Sequence, residues 1–170
     1  MKKALIIISI IITILVYNKE YDKILIPENS IRIRVIANSN NIEDQVLKLK
    51  VKEKVESKLY EKLDNTKDIN IARNKIKSTL PEIDNIVSTT TNSNNYNIKY
   101  GNNYFPKKEL NGIYYEKGNY ESLVINLGEG KGNNWWCVLF PPLCMIDTKE
   151  NNTDKVEYKS KVLEILNDYK

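Results

Sequence analysis

The residues that could carry chemistry crowd into one stretch. Gly128 to Cys144 holds three of the chain's six glycines, both tryptophans, both cysteines and two of its five prolines. A cysteine nucleophile needs a base, and the chain contains no histidine, so a triad with an imidazole base, a histidine-ligated zinc and an imidazole pH switch are all excluded. Two thiols alone make a poor metal site. Cys137 and Cys144 therefore read as one disulfide or as two free thiols. The disulfide is the natural reading outside a bacterial cytoplasm, provided the chain reverses at Pro141-Pro142 enough to bring the Cα atoms within about 7 Å.

Gly128-x-Gly130-x-Gly132 has the look of a phosphate loop, but such loops open a helix and this one leads into a strand; Lys131 is not followed by serine or threonine. A hairpin loop is expected instead. Asp147-Thr148 resembles the start of an aspartic-protease motif with Lys149 where glycine is required. Glu109, Glu116, Glu121 and Glu129 have no spacing that implies a shared acid–base site, although a glycosidase pair can come from any two distant segments. The expectation is a protein that is not an enzyme, with no metal and no cofactor.

These residues need elements to hold them. Trp135 to Phe140 suits a strand that Pro141-Pro142 stops, since neither proline can donate to a ladder. Trp135, Cys137 and Leu139 point one way and Trp136, Val138 and Phe140 the other, so both faces are apolar. Two readings stay open: a central strand covered on both sides, or an aromatic face beside the glycine loop that docks a partner.

Upstream, Ile31 to Ala37 alternates apolar and charged residues, which predicts a half-buried strand with Arg32 and Arg34 on a solvated face. Asn38-Ser39-Asn40-Asn41 breaks it and offers N-caps to a helix over Ile42 to Leu63. Leu47, Val51, Val55, Leu59 and Leu63 form its apolar stripe, widened by Val46, Leu49 and Tyr60. Ile69 to Leu80 reads as a second helix, with Pro81 opening a short third one. Thr89 to Asn95 reads as a loop. Short β pieces follow at Tyr96 to Tyr100, Leu110 to Tyr115 and Glu121 to Leu127, and Asp154 to Lys170 reads as a closing helix. The order predicts one α+β domain: a mostly antiparallel sheet with two or three N-terminal helices packed on it and a C-terminal helix.

The 26 basic residues exceed the 22 acidic ones by four, but Lys2 and Lys3 supply half of that excess. No clustered basic face remains, so a nucleic-acid partner is not expected. The apolar run Ala4 to Tyr17 spans about 21 Å as a helix, short of a bilayer core of about 30 Å. Residues 1–17 therefore match a signal-peptide core; with no small-x-small site after them, an uncleaved signal anchor stays open. Either places residues from about 18 onward outside the cytoplasm. Residues 18–29 read as a linker, 30–148 as the folded domain and 149–170 as a helical tail.

Two blocks carry a resemblance. Ile31 to Leu49, and Asn134-Trp135-Trp136-Cys137-Val138-Leu139-Phe140-Pro141-Pro142-Leu143-Cys144, resemble the stage II sporulation protein R family of endospore-forming Firmicutes. Phe105-Pro106-Lys107-Lys108 and Gly128-Glu129-Gly130 fall where similar family pieces fall, and the resemblance runs from about Ile31 to Asp147. It implies a sporulation signalling domain, made in the forespore and exported into the space between forespore and mother-cell membranes. There it would activate a membrane-embedded aspartic protease, stage II sporulation protein GA, which releases sigma-E from its pro-form in the mother cell. It also implies a partner-binding surface drawn from Asn38, Ser39, Asp44 and Gln45 in the first block and Asn134, Trp135, Trp136, Phe140, Pro141 and Pro142 in the second. No small-molecule ligand is expected. The alternative from another class is a cell-envelope hydrolase or glycan-binding module that uses the aromatic strand as a sugar platform on peptidoglycan.

Overall fold

The computed structural model describes residues 6–13, 24–110, 113–145 and 155–169. Residues 6–13 are helical (α1) with exposed side chains. The expected signal segment falls on this helix and on residues 1–5 and 14–17, which lie outside the described residues, as do 18–23 of the expected linker and 149–154 and 170 of the expected tail. Among the described residues no helix is long and apolar enough to cross a membrane.

The organising element is β2 (Ile31–Ile36). It lies second from the edge in a four-stranded sheet whose other members are β3 (Tyr96–Phe105), β6 (Gly118–Leu127) and β7 (Asn134–Phe140), in the order β3-β6-β2-β7. β2 runs parallel to β6, with Ile33 opposite Leu123, and antiparallel to β7, with Ile33 opposite Cys137; β3 and β6 are antiparallel. A second, three-stranded sheet orders β1 (Ile24–Leu25), β5 (Ile113–Tyr115) and β4 (Lys108–Leu110) as β1-β5-β4. The fold is α+β with mostly antiparallel pairing, and the parallel contacts are β2–β6 and β1–β5.

One face of the large sheet carries Ile31, Ile33, Val35, Leu123, Ile125 and Leu139 into a core closed by two helices. In α2 (Ile42–Leu63) the core side is Val51, Val55, Leu59 and Leu63; in α3 (Ile69–Thr91) it is Ala72, Ile76, Thr79, Ile83 and Val87, spaced for one helix face. The Asp68 carboxylate caps α3 by accepting from the Asn70 and Ile71 N–H groups at 2.7 and 3.0 Å. Arg73 of α3 grips the Glu121 carboxylate of β6 with Nε and one terminal nitrogen at 2.7 and 2.8 Å, and the Tyr100 hydroxyl donates to the same carboxylate at 2.7 Å. That bidentate pair fixes the helix layer to the sheet.

The other face departs from the expectation of solvated arginines. Arg32 is 0% exposed and Arg34 half-buried, because that face is covered too, by Ile113 and Tyr115 of β5 and Val162 of α4 (Lys155–Asp168), in a cluster with Phe105, Tyr120 and Trp136. Alternation of apolar and charged residues normally marks one open face; here a second layer closes it.

Four smaller expectations also change. Pro81 lies inside α3 and opens no third helix: it sits on the exposed side, where water can satisfy the Lys77 carbonyl that its ring leaves without a partner. α3 also absorbs Thr89 to Thr91 and stops at Asn92, left-handed at φ 50°. Tyr96 to Tyr100 is half of a ten-residue strand. The expected piece Leu110 to Tyr115 begins in β4 and ends in β5, an antiparallel pair.

Cys137 and Cys144 form a disulfide with Cα atoms 5.6 Å apart, tying the middle of β7 to the 3-10 turn Leu143–Met145 beyond the prolines. The enclosed loop is short, so chain entropy assigns the bridge about 2.5 kcal/mol. The double replacement Cys137→Ala, Cys144→Ala is expected to lower the unfolding free energy by that amount in a denaturant titration. Mass analysis of the full chain produced under oxidising conditions, without reductant, should find the pair linked, with neither thiol alkylated.

Candidate functional site

The two sequence blocks meet at the C-terminal end of β2. Asn38 Oδ1 accepts from the Glu129 N–H at 3.0 Å, and Asn40 Oδ1 accepts from the Asn133 N–H at 2.7 Å. The backbone joins in: the Lys131 N–H donates to the Asn38 carbonyl at 3.1 Å and the Gly132 N–H to the Ala37 carbonyl at 2.9 Å. The glycine loop is thus clamped onto the breaker loop after β2, some ninety residues away. Its glycines serve that clamp. Gly128 has φ +57°, and a Cβ there would lie 2.2 Å from Asn38 Oδ1; a Cβ on Gly132 would lie 2.2 Å from the Ser39 carbonyl oxygen.

The clamp continues into the first turns of α2. One Asp44 carboxylate oxygen accepts from the Asn38 side-chain amide at 3.0 Å and the Ser39 hydroxyl at 2.6 Å, while Ser39 Oγ accepts from the Asn41 N–H at 3.1 Å. The Gln45 amide donates to the Ser39 carbonyl at 2.8 Å, and Lys48 Nζ donates to Gln45 Oε1 at 2.7 Å. The hydrogen bonds from Ser39 and Asn38 hold the Asp44 carboxyl below the usual range, and burial pushes the Lys48 ammonium down.

Each residue of the surface implied by the resemblance has a definite place. Asn38, Ser39, Asp44 and Gln45 are half-buried and bonded within the clamp. Asn134 is exposed, and Trp135 and Pro142 are half-buried. Trp136 is buried edge-on against Phe105 and Tyr115, with ring centroids 5.3 and 5.2 Å away. Phe140 and Pro141 are buried and line a cavity of about 450 Å³ beside Ile69, Leu163 and Tyr169.

Beside the clamp is a feature the sequence reading misplaced. Ile42, Val46 and Leu49 recur at one-turn spacing on α2 and are 78%, 45% and 51% exposed. Val46 and Leu49 thus lie outside the core stripe to which they were assigned. On a 3.6-residue wheel the three cluster more than about 100° from the Val51–Val55–Leu59 line. That offset is the signal that finds them. One turn on, Lys52 reaches over the Trp135 ring, its Nζ 4.9 Å from the centroid, so the exposed stripe runs toward a half-exposed tryptophan. The arrangement presents a rigid apolar strip with no reacting groups. Among the described residues no cluster of acids and cysteines could hold a metal ion.

The chain is similar to known proteins over most of its length. A family model described as Stage II sporulation protein R matches residues 27–150. Stage II sporulation protein R of Bacillus subtilis (strain 168) is 35% identical over 158 residues, an alignment covering 88% of this chain and 70% of the relative. No solved structure matches.

Two outcomes follow from the clamp. Gly132→Ala forces its methyl onto backbone and is expected to cost about 1–3 kcal/mol in chemical denaturation, as overpacking does. Asp44 has a depressed folded value, so its contribution is complete above the ordinary carboxylate range and is lost as pH falls through the lowered value. Asp44→Ala is expected to lower Tm at neutral pH and to bring the mutant and parent melting curves together in acid.

Proposed function

Because the chain belongs to the stage II sporulation protein R family, whose role is sporulation signalling, we propose that it is exported from the forespore and acts in the space between the two membranes as the activating ligand of the membrane-embedded aspartic protease, stage II sporulation protein GA. The protease then processes pro-sigma-E in the mother cell. The contact surface is the exposed strip Ile42–Val46–Leu49 with Trp135 and Asn134 at its flank. Asn38, Ser39, Asp44 and Gln45 hold the start of α2 in place for it, while Trp136, Phe140 and Pro141 support β7 from within.

The observation that carries this reading is the strip itself: three large aliphatic side chains open to water on a helix whose N-terminal end is locked by the glycine loop. Apolar side chains at i, i+4 and i+7 are the anchors of helix-in-groove recognition. Binding alone does not activate a receptor; the strip must fit its active conformation better than its inactive one. A tenfold shift toward the active form needs about 1.4 kcal/mol of difference, within reach of two buried aliphatic side chains.

The test is to produce the full chain with the receptor and pro-sigma-E in a non-sporulating host and follow cleavage by blotting. Cleavage above the receptor-alone level is expected, and its absence would overturn the proposal. Val46→Asp with Leu49→Asp should abolish cleavage while leaving Tm nearly unchanged, because both positions are exposed. Co-sedimentation of the parent with peptidoglycan, retained in that variant, would point to the glycan-binding alternative.

A further inference from the structure

The covered face of β2 holds an imbalance of charge that the receptor-binding strip, on the helix layer, does not involve. The Arg32 guanidinium carbon lies 3.3 Å from the Tyr120 ring centroid and 5.2 Å from those of Phe105 and Trp136. That of Arg34 is 4.7 Å from the same Phe105 centroid, and Lys108 Nζ is 5.0 Å from the Trp136 centroid. Three cations thus share one set of rings. Among the described residues none has a carboxylate within ion-pair distance. Among the described residues no acceptor meets hydrogen-bond geometry for the three guanidinium nitrogens of fully buried Arg32 or for Nε of Arg34, although the Tyr120 side chain lies close enough to Arg32 to favour its charged form.

A ring face attracts a cation but accepts none of its in-plane N–H bonds. Aromatic stacking therefore leaves the Arg32 nitrogens and Nε of Arg34 without a well-directed acceptor. A negative group placed at this cluster relieves that defect. Burial among apolar rings penalises both guanidinium charges and pushes Arg32 and Arg34 below their ordinary values, the condition in which a counter-ion has most effect.

We propose that Arg34, with Arg32 behind it and Lys108 against Trp136, forms a binding site for a carboxylate. Arg34 is half-buried and Lys108 exposed, so the ligand enters past these two while Arg32 supplies charge from within. A carboxylate suits it because a planar two-oxygen acceptor matches the paired donors on a guanidinium edge.

The experiment titrates the full chain with malonate, sulfate and chloride at matched ionic strength, and with a short glutamate-rich peptide and its glutamine counterpart, reading Tm and tryptophan fluorescence. A saturable response to malonate or to the glutamate peptide, absent with chloride and the glutamine peptide, is expected. Arg34→Gln should weaken it at least about tenfold; the exposed-site variant Lys108→Gln should weaken it severalfold and serves if Arg34→Gln does not fold. Tighter binding of the peptide than of malonate assigns the carboxylate to a protein partner, and the reverse to a small carboxylic acid. Equal responses to malonate, sulfate and chloride, or an undiminished response in both variants, would overturn the site.

Discussion

Burial of β2 on both faces is the constraint from which the rest of the molecule follows. A strand paired with β6 on one side and β7 on the other cannot face water unless a layer is missing, and here neither layer is. Its odd residues, Ile31, Ile33 and Val35, fill a conventional aliphatic core. Residues 32 and 34 put two guanidinia among rings and aliphatic side chains. Cation–π contact contributes about 0.5–2 kcal/mol at each such site, while withdrawing an ion from water costs several. Packing of Phe105, Tyr115, Tyr120 and Trp136 around the arginine stems must therefore contribute much of what holds this layer, and the charged heads are tolerated there for a reason other than stability.

The same strand sets the geometry of the clamp at its C-terminal end. Where β2 stops, the chain must turn into α2, and the β6–β7 connection must pass close by, since both strands flank β2. The clamp between Asn38–Asn41 and Gly128–Asn133 is the solution: side-chain amides satisfy backbone N–H groups of the facing loop, and Gly132 lets the two backbones approach. A loop fixed in this way loses little further freedom on binding, so more of the contact energy appears as affinity. The strip on α2 inherits that rigidity through Asp44 and Gln45.

Much of this was legible from single residues. Zero histidines removed the commonest catalytic designs, the breaker run located the start of α2, the prolines located the end of β7, and the spacing of Cys137 and Cys144 around that stop fitted the disulfide found. What was not legible shares one cause: layering is a tertiary property. Arg32 and Arg34 alternate with apolar residues just as a solvated face would, and only the return of β5 and α4 buries them. Val46 and Leu49 looked like core because they are aliphatic and near the stripe, yet α2 has one covered side. Pro81 looked like a boundary, but its side of α3 faces water. The parallel pairing of β2 with β6 leaves no local trace at all.

A signal has a different problem from an enzyme. It needs no reacting group, only a surface whose fit differs between two states of its target. Exposed aliphatic side chains on α2 gain nothing for the isolated fold and carry a liability in solution, so their retention beside a rigid clamp makes sense when a partner covers them. The buried arginines carry a larger cost on the opposite face, since a guanidinium withdrawn from water without a charged partner costs several kcal/mol. Both features leave the free protein short of its own optimum in a way that a complementary surface or group would correct, and under the proposed function that correction would add to the binding energy available for activation.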